Sequence, residues 1–445
     1  MKRAALFLSV FLSTSAPAFA QAPQIELPVT DFTMKNGLRV ILHEDHSVPI
    51  VTVNMWYHVG SARETTGRTG FAHLFEHLMF MGSGHVKEGE FDSWLEGAGG
   101  NNNGSTTNDR TNYWITVPSN ALELALFLES DRMGYLLDTM TPATVDAQRD
   151  VVKNERRQSY ENRPYGMADI ALTEMLYPEG HPYHWPVIGY MPDLTAASYD
   201  GVVNFFKKYY GPANASLVVA GDFKAADAKA LVEKWFGDVK PAETVAKTPA
   251  PPVSLTGVQK RTLEDNVQIP KLFLAWLTPA HHAPGDAALD LVSDLLTGGK
   301  NSRLYKKLVY DMQIAQDVSA YQASQALSSY FQIEATPRPG HTTDELLKVI
   351  DEEIATLQKA APSARELERS LNKIESSFFN RMERLGGFGG KADLLNSYVT
   401  NTGQPNWFTQ DLDRYRTLKA ADITAAAAQY LPRDRRVELT VVPKK

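Results

Sequence analysis

The chain has 445 residues, more than one ordinary core accommodates, so two units of roughly 200 residues each are expected. Its composition, 43% hydrophobic and 22% charged, is that of a globular protein and excludes a disordered or fibrous chain. A net charge of −7 with no basic stripe argues against nucleic-acid binding, and with no cysteine the cores must hold without disulfides.

The chain opens with a targeting pattern. Lys2 and Arg3 precede an apolar run from Ala4 to Leu12, and Ala18-Phe19-Ala20 before Gln21 reads as an A-x-A cleavage site. Residues 1–20 are therefore expected to be a signal peptide removed after Ala20. That removal takes away two cations and no acid, moving the formal charge from −7 to −9. Its apolar core is too short for a stable anchor, and no later stretch approaches the ~20 apolar residues of a membrane span. Export is expected, to the periplasm if the source is Gram-negative.

The remainder reads as two passes through one plan. The first unit, residues 21–238, opens with strand segments over Phe32–Glu44 around the hairpin signal Asn36-Gly37, then a strand over Ile50–Val59. Helices follow over Asn120–Leu137, Pro142–Tyr160 and Tyr199–Tyr210, and a strand over Ala215–Gly221 closes the unit. Residues 239–260 form a proline-rich linker. The second unit, residues 261–445, repeats the order. A strand over Lys271–Leu277 leads to helices over Ala287–Leu296 and Ser302–Tyr310, then a strand over Ser328–Ala335. Helices over Thr343–Lys359 and Ala364–Arg381 precede a terminal strand over Val437–Val442. Such clustering predicts an α+β fold with two similar α/β-layered domains, each an antiparallel-rich sheet covered by helices.

The chemistry concentrates in Gly70-Phe-Ala-His73-Leu-Phe-Glu76-His77-Leu-Met-Phe-Met81. Burying imidazole or carboxylate without partners costs several kcal/mol, yet three such groups fall within five positions of an apolar helix. His73 and His77, four apart, share a helix face and can address one ion, and Glu76 lands close enough to hold a water against it. The spacing is H-x-x-E-H, the inverted zinc-hydrolase motif. A catalytic zinc commonly takes three protein ligands, so one more must come from elsewhere. Glu155, in Val151-Val-Lys-Asn-Glu155 and 78 residues beyond His77, is the best candidate, but spacing alone does not prefer it to Glu129, Asp131 or Glu161. His181 with His184, flanked by prolines, and His281 with His282 read as loop residues and not ligands. Gly386-Gly-Phe-Gly-Gly390 reads as a bend between helices, since it follows no strand and lacks the Lys-Ser/Thr of a phosphate loop.

His73-Leu-Phe-Glu76-His77 followed by Val-Val-Lys-Asn-Glu155 resembles the pitrilysin-type metallopeptidases, the family of insulin-degrading enzyme and mitochondrial processing peptidase, and its two-domain bacterial members above all. The likeness extends over most of the mature chain. It implies one Zn²⁺ per chain on His73, His77 and Glu155, with Glu76 as general base. It also implies two bowl-shaped halves arranged like a clamshell around a chamber. Gly99-Gly-Asn-Asn-Asn-Gly-Ser-Thr-Thr107, by composition a flexible loop, is similar to the family's substrate-binding edge strand, with Asn103, Gly104, Ser105 and Thr106 at the matching positions. Gly104 stands where alanine is usual, so a looser strand is expected.

The chain departs from the family pattern in two places. Gln148 occupies a position, seven before the third ligand, where many relatives carry a supporting glutamate. In the second half, alignment on Ser302-Arg303-Leu304-Tyr305 puts Val309 and Gln316 where active one-chain relatives have an arginine and a tyrosine that contact substrate. The expected function is zinc-dependent endopeptidase acting on peptides or unfolded polypeptides, as the zinc-bearing subunit of a heterodimer whose sister supplies that pair. The competing expectation is a non-catalytic peptide-binding or assembly subunit that retains a metal site.

Overall fold

The computed structural model describes residues 24–444; the expected signal peptide lies outside the described residues. The first sheet contains β1 (Thr30–Thr33), β2 (Arg39–Glu44), β3 (Ile50–Tyr57), β4 (Asn101–Thr106), β5 (Thr111–Pro118) and β6 (Ala215–Gly221), in the order β1-β2-β6-β3-β5-β4. Its half also holds the helices α1 (Phe71–Leu78), α2 (Glu90–Gly97), α3 (Leu122–Thr139), α4 (Pro142–Arg156), α5 (Met167–Leu176), α6 (Met191–Ala196), α7 (Tyr199–Tyr209) and α8 (Ala225–Phe236). The second sheet contains β7 (Gln259–Asp265), β8 (Lys271–Thr278), β9 (Ala315–Ala323), β10 (Ser329–Pro337) and β11 (Val437–Pro443), in the order β7-β11-β8-β10-β9. With it come α9 (Asp286–Thr297), α10 (Thr343–Lys359), α11 (Ala364–Glu383), α12 (Lys391–Thr402), α13 (Phe408–Arg416) and α14 (Ala420–Tyr430).

The repeat inferred from element order is visible strand by strand. The pairs β2–β6 and β7–β11 are parallel, and the neighbours that follow in each sheet are antiparallel. The first sheet differs by one added edge strand, β1. It turns back into β2 through Gly37, whose φ of 93° suits glycine.

Central strand β6 is buried along its whole length, Ala-Ser-Leu-Val-Val-Ala-Gly, as a strand covered on both faces must be. Leu217 and Val219 join the main core of the first half, under α1, α3, α7 and α8. Val218 and Ala220, on the other face, meet Leu394, Leu395 and Tyr398 of α12, which belongs to the second half. The exchange is reciprocal. Ala168, Ala171 and Leu172 of α5 cover Phe273, Ala275 and Leu439 of the second sheet. Each sheet therefore has one face roofed by its own half and the other by a helix of the opposite half. Among the described residues no helix is long and apolar enough to cross a membrane.

Candidate metal centre

Helix α1 carries Phe71, Ala72, Leu74, Phe75 and Leu78 into the core, so its remaining stripe presents His73, Glu76 and His77. Helix α4 starts at Pro142, where Thr141 Oγ1 accepts the N–H of Thr144, and buries Val145, Gln148, Val152 and Arg156. Packed on α1, it brings Glu155 to the two histidines. The Nε2 atoms of His73 and His77 lie 3.7 and 3.3 Å from Glu155 Oε2, and the ring centroids stand 4.9 Å apart at 80°. One donor atom from each residue falls within 4.8 Å of the others. Bonds of about 2.0–2.1 Å at tetrahedral angles separate zinc ligands by roughly 3.3 Å, so this donor set fits such an ion. Burial lowers the pKa of His73, opposed by the nearby Glu155, and so favours the neutral imidazole that ligation requires. The Glu155 carboxyl is held below its ordinary value by its hydrogen bond with His77.

The other acids that spacing left open are committed elsewhere. Glu129 is fully buried in an ion pair with Arg132, Asp131 accepts from Ser83 Oγ and the His85 backbone, and Glu161 accepts from Arg156 Nε at 3.1 Å. His181 Nδ1 accepts the Tyr183 N–H, and the His281 and His282 rings lie against one another, tilted by 37° with centroids 3.7 Å apart.

Glu76 stands outside the three-residue donor group. Burial raises its pKa, opposed by a hydrogen bond from Thr106 Oγ1 to its Oε2 at 2.6 Å. Thr106 ends β4, and the Gly/Asn-rich run expected from composition to be a loop is the edge of the first sheet, paired only with β5. Nor is the strand loose. Ser105 Oγ donates to Asn112 Oδ1 at 2.7 Å, and Arg110 Nη1 donates to Ser105 O at 2.8 Å. A Cβ on Gly104 would stand 3.2 Å from Glu76 Cγ and 3.1 Å from the Tyr113 ring, so the glycine lets the strand lie close over the motif helix. Thr107 N–H donates to Arg110 O across the turn. Ladder alternation therefore directs the N–H and C=O of Thr106 and Gly104 toward the open edge. The Gly104 N–H is meanwhile taken up by Asn103 Oδ1 at 2.8 Å.

Gln148 donates to Met81 Sδ at 2.9 Å, and His73 Nδ1 is buried with no partner. In the second half, Val309 packs beside the core, and Gln316 is the extra residue of a β-bulge in β9 where the register slips opposite Thr336 and Pro337. A cavity of about 310 Å³ that reaches Glu155 is lined by Tyr160, Arg163 and Asp169 of the first half and Lys271 and Glu334 of the second.

Sequence reasoning missed Glu64. Its buried carboxyl group accepts the N–H groups of Gly70 and Ala72, both at 2.8 Å, at the start of α1. The signal was indirect: Gly70 has no side chain to accept the first N–H groups of the helix it precedes, which leaves them for another acceptor.

A profile described as Insulinase (Peptidase family M16) matches residues 39–179, and one described as Peptidase M16 inactive domain matches residues 196–374. The chain is 30% identical over 436 residues to a protein of Helicobacter pylori named zinc protease PqqE, covering 95% of this chain and 94% of that one. It is 23% identical to a probable mitochondrial-processing peptidase subunit beta of Arabidopsis thaliana, covering 79% of this chain and 67% of that one. The solved structure of a protease from Helicobacter pylori superposes with a TM-score of 0.87 at 27% identity, covering 94% of this chain and all of that one. The M16 inactive domain structure from Pseudomonas fluorescens, at 19% identity and a TM-score of 0.83, shares the fold over 94% of this chain and 99% of that one. With both halves matched by profiles of one family, and a relative aligned almost end to end, the chain belongs to peptidase family M16.

Proposed function

We propose that the chain is a zinc-dependent endopeptidase, with His73, His77 and Glu155 as the ligands of one zinc ion and Glu76 as general base. The observation that carries this reading is the meeting of two imidazole Nε2 atoms and a carboxylate oxygen from a distant helix at 3.3 and 3.7 Å. Zinc bound there would supply Lewis acidity, lowering the pKa of a water toward neutrality and polarising the scissile carbonyl. Glu76 accepts the proton of the attacking water and returns it to the leaving amine. Thr106 holds Glu76 in place for both transfers. The open edge of β4 pairs with an extended peptide backbone through Gly104 and Thr106, whatever its side chains, and a substrate strand displaces the Asn103 side chain from the Gly104 N–H. Unstructured chains meet this requirement and folded proteins do not. Glu76→Gln should abolish turnover while zinc content stays at wild-type level; substantial residual hydrolysis would mean that Glu76 is not the base.

The reading includes a sister subunit. Val309 and Gln316 leave the second half without the arginine and tyrosine of one-chain relatives, so a partner chain supplies the pair. Adding the purified sister should raise peptidase activity sharply; equal activity of the chain alone would remove the idea. It also includes export, checked by whether the mature chain from the cell envelope begins at Gln21.

The missing pair also favours a second reading, a peptide-binding subunit without turnover. Zinc content measured together with cleavage of an unstructured fluorogenic peptide, with and without chelator, separates the two.

A further inference from the structure

The two ligand-bearing helices are joined by a buried bracket. At one end is Glu64. Helix α1 is preceded by Gly70, with φ 88°, and receives no capping bond from that residue. Instead Glu64 Oε2 accepts the Gly70 N–H and Oε1 the Ala72 N–H, each at 2.8 Å, with the residue 6% exposed. Burial raises the Glu64 pKa to about 8, opposed by the N–H bonds it accepts, and by accepting them the carboxyl group fixes the height of the first turn. His73 follows Ala72 directly.

At the other end is Arg156, adjacent to Glu155 and 5% exposed, whose Nη1 donates to the Gly189 carbonyl at 2.7 Å. Between them two glycine backbones touch. A Cβ built on Gly189 would lie 2.6 Å from Gly70 Cα and 2.7 Å from Gly70 N, and one on Gly70 would lie 3.0 Å from Gly189 Cα. The contact is pinned on its flank by Thr69, whose Oγ1 accepts the Tyr190 N–H at 2.8 Å and donates to Asp193 Oδ2 at 2.7 Å.

Histidine ligands are usually oriented by an acceptor on the far ring nitrogen. His73 has none: its Nδ1 is buried without a partner, and the side chain of Gln148 is turned to Met81. The placement of the helix must then do what a tether on the ring does elsewhere. Resting on the reading that His73, His77 and Glu155 bind a metal ion, we infer that Glu64 and Arg156 are its positioning residues. Acting through the Gly70–Gly189 contact, they set the spacing of α1 and α4 and hold the three ligand atoms at binding distance.

The test is metal binding by the full chain, read without activity. Zn²⁺ affinity is measured by competition with a chromogenic chelator, and the visible bands of the Co²⁺-loaded protein report ligand geometry. Melting of the metal-free protein is recorded alongside. Glu64→Ala and Arg156→Met, the latter keeping an apolar stem but no donor, should each weaken Zn²⁺ binding by about 10–100-fold and alter the Co²⁺ bands. Glu64→Gln, which keeps one acceptor, should recover part of both. Variants that melt lower when metal-free but bind Zn²⁺ with wild-type affinity and an unchanged Co²⁺ spectrum would overturn the inference and leave only a structural role. Should Glu64→Ala not fold, Arg156→Met and Glu64→Gln decide by the same readouts. Wild-type protein that binds no Zn²⁺ would instead overturn the reading of the site, and this inference with it.

Discussion

Thr106 Oγ1 stands 2.6 Å from Glu76 Oε2, so the last residue of edge strand β4 directly holds the side chain proposed as general base. Strand and proposed base are thereby joined: a peptide backbone seated on the strand, as proposed, would be positioned relative to Glu76 through one hydroxyl. Thr106→Val keeps the shape and removes the donor. A hydrogen bond to a charged group is worth about 1.5–3 kcal/mol, so kcat on an unstructured peptide should fall by roughly one to two orders of magnitude, with KM changed little. A KM effect with kcat intact would assign Thr106 to substrate binding alone.

Gly104 lies over the same side chain. In Gly104→Ala the new methyl meets Glu76 Cγ at 3.2 Å and the Tyr113 ring at 3.1 Å, closer than ordinary contact. The buried ring gives little, so the carboxylate is the part that moves. The expected outcome is a several-fold loss of kcat with a melting temperature equal to wild type or slightly higher. Removing a glycine restricts the unfolded chain by about 0.4–1 kcal/mol. Paired peptidase assays and calorimetry check both halves of the expectation.

Asp393 is the polar anchor of the exchanged helix α12. Its Oδ1 accepts from Trp56 Nε1 and Asn112 Nδ2, both at 2.9 Å, and from Asn54 Nδ2 at 3.3 Å, while Oδ2 accepts the Gly389 N–H at 2.8 Å. Asp393→Ala strands several buried donors, each costing about 1–3 kcal/mol when left unpaired. Urea denaturation should show a loss of at least roughly 3 kcal/mol. Asp393→Asn should lose less.

Acid acts on the metal-free protein through His58, away from the proposed ligands. Burial first, then Arg63 and Arg39, lower its pKa from 6.5 to about 4. The unfolded chain therefore binds this proton at a higher pH than the folded one. Stability from the neutral ring is fully present above about pH 6.5 and declines as pH falls toward 4, a loss of roughly 2–3 kcal/mol. Urea midpoints of the metal-free wild type and of His58→Gln, compared between pH 7 and 4.5, should converge on the acid side. A constant gap would exclude His58 as a source of acid lability.

Much of this was legible in the chain. The H-x-x-E-H helix announced itself because ionisable groups interrupt an apolar run, and β6 has the bounds its aliphatic run implied. Strand β4 was not readable from composition, because Asn and Gly favour turns; it is a strand because β5 and Arg110 hold it. Helix α5 went unseen for a different reason. With Ala168, Ile170, Ala171 and Leu172 all buried, it lacks the one-sided pattern that marks a helix at the surface. Glu155 could be chosen only by resemblance, since its rivals differ from it in partners and not in type. Glu64 lies nine residues before His73, and its role depends on a loop folding back on a helix end, which no local pattern encodes.

Because α5 rests on the second sheet and α12 on the first, cutting the peptide backbone between residues 240 and 254 would not release two autonomous modules. Each fragment would leave a row of bare aliphatic side chains on the other, so the nicked protein should stay together and melt in a single step. Any relative motion of the two halves must likewise be small enough to keep both helices seated.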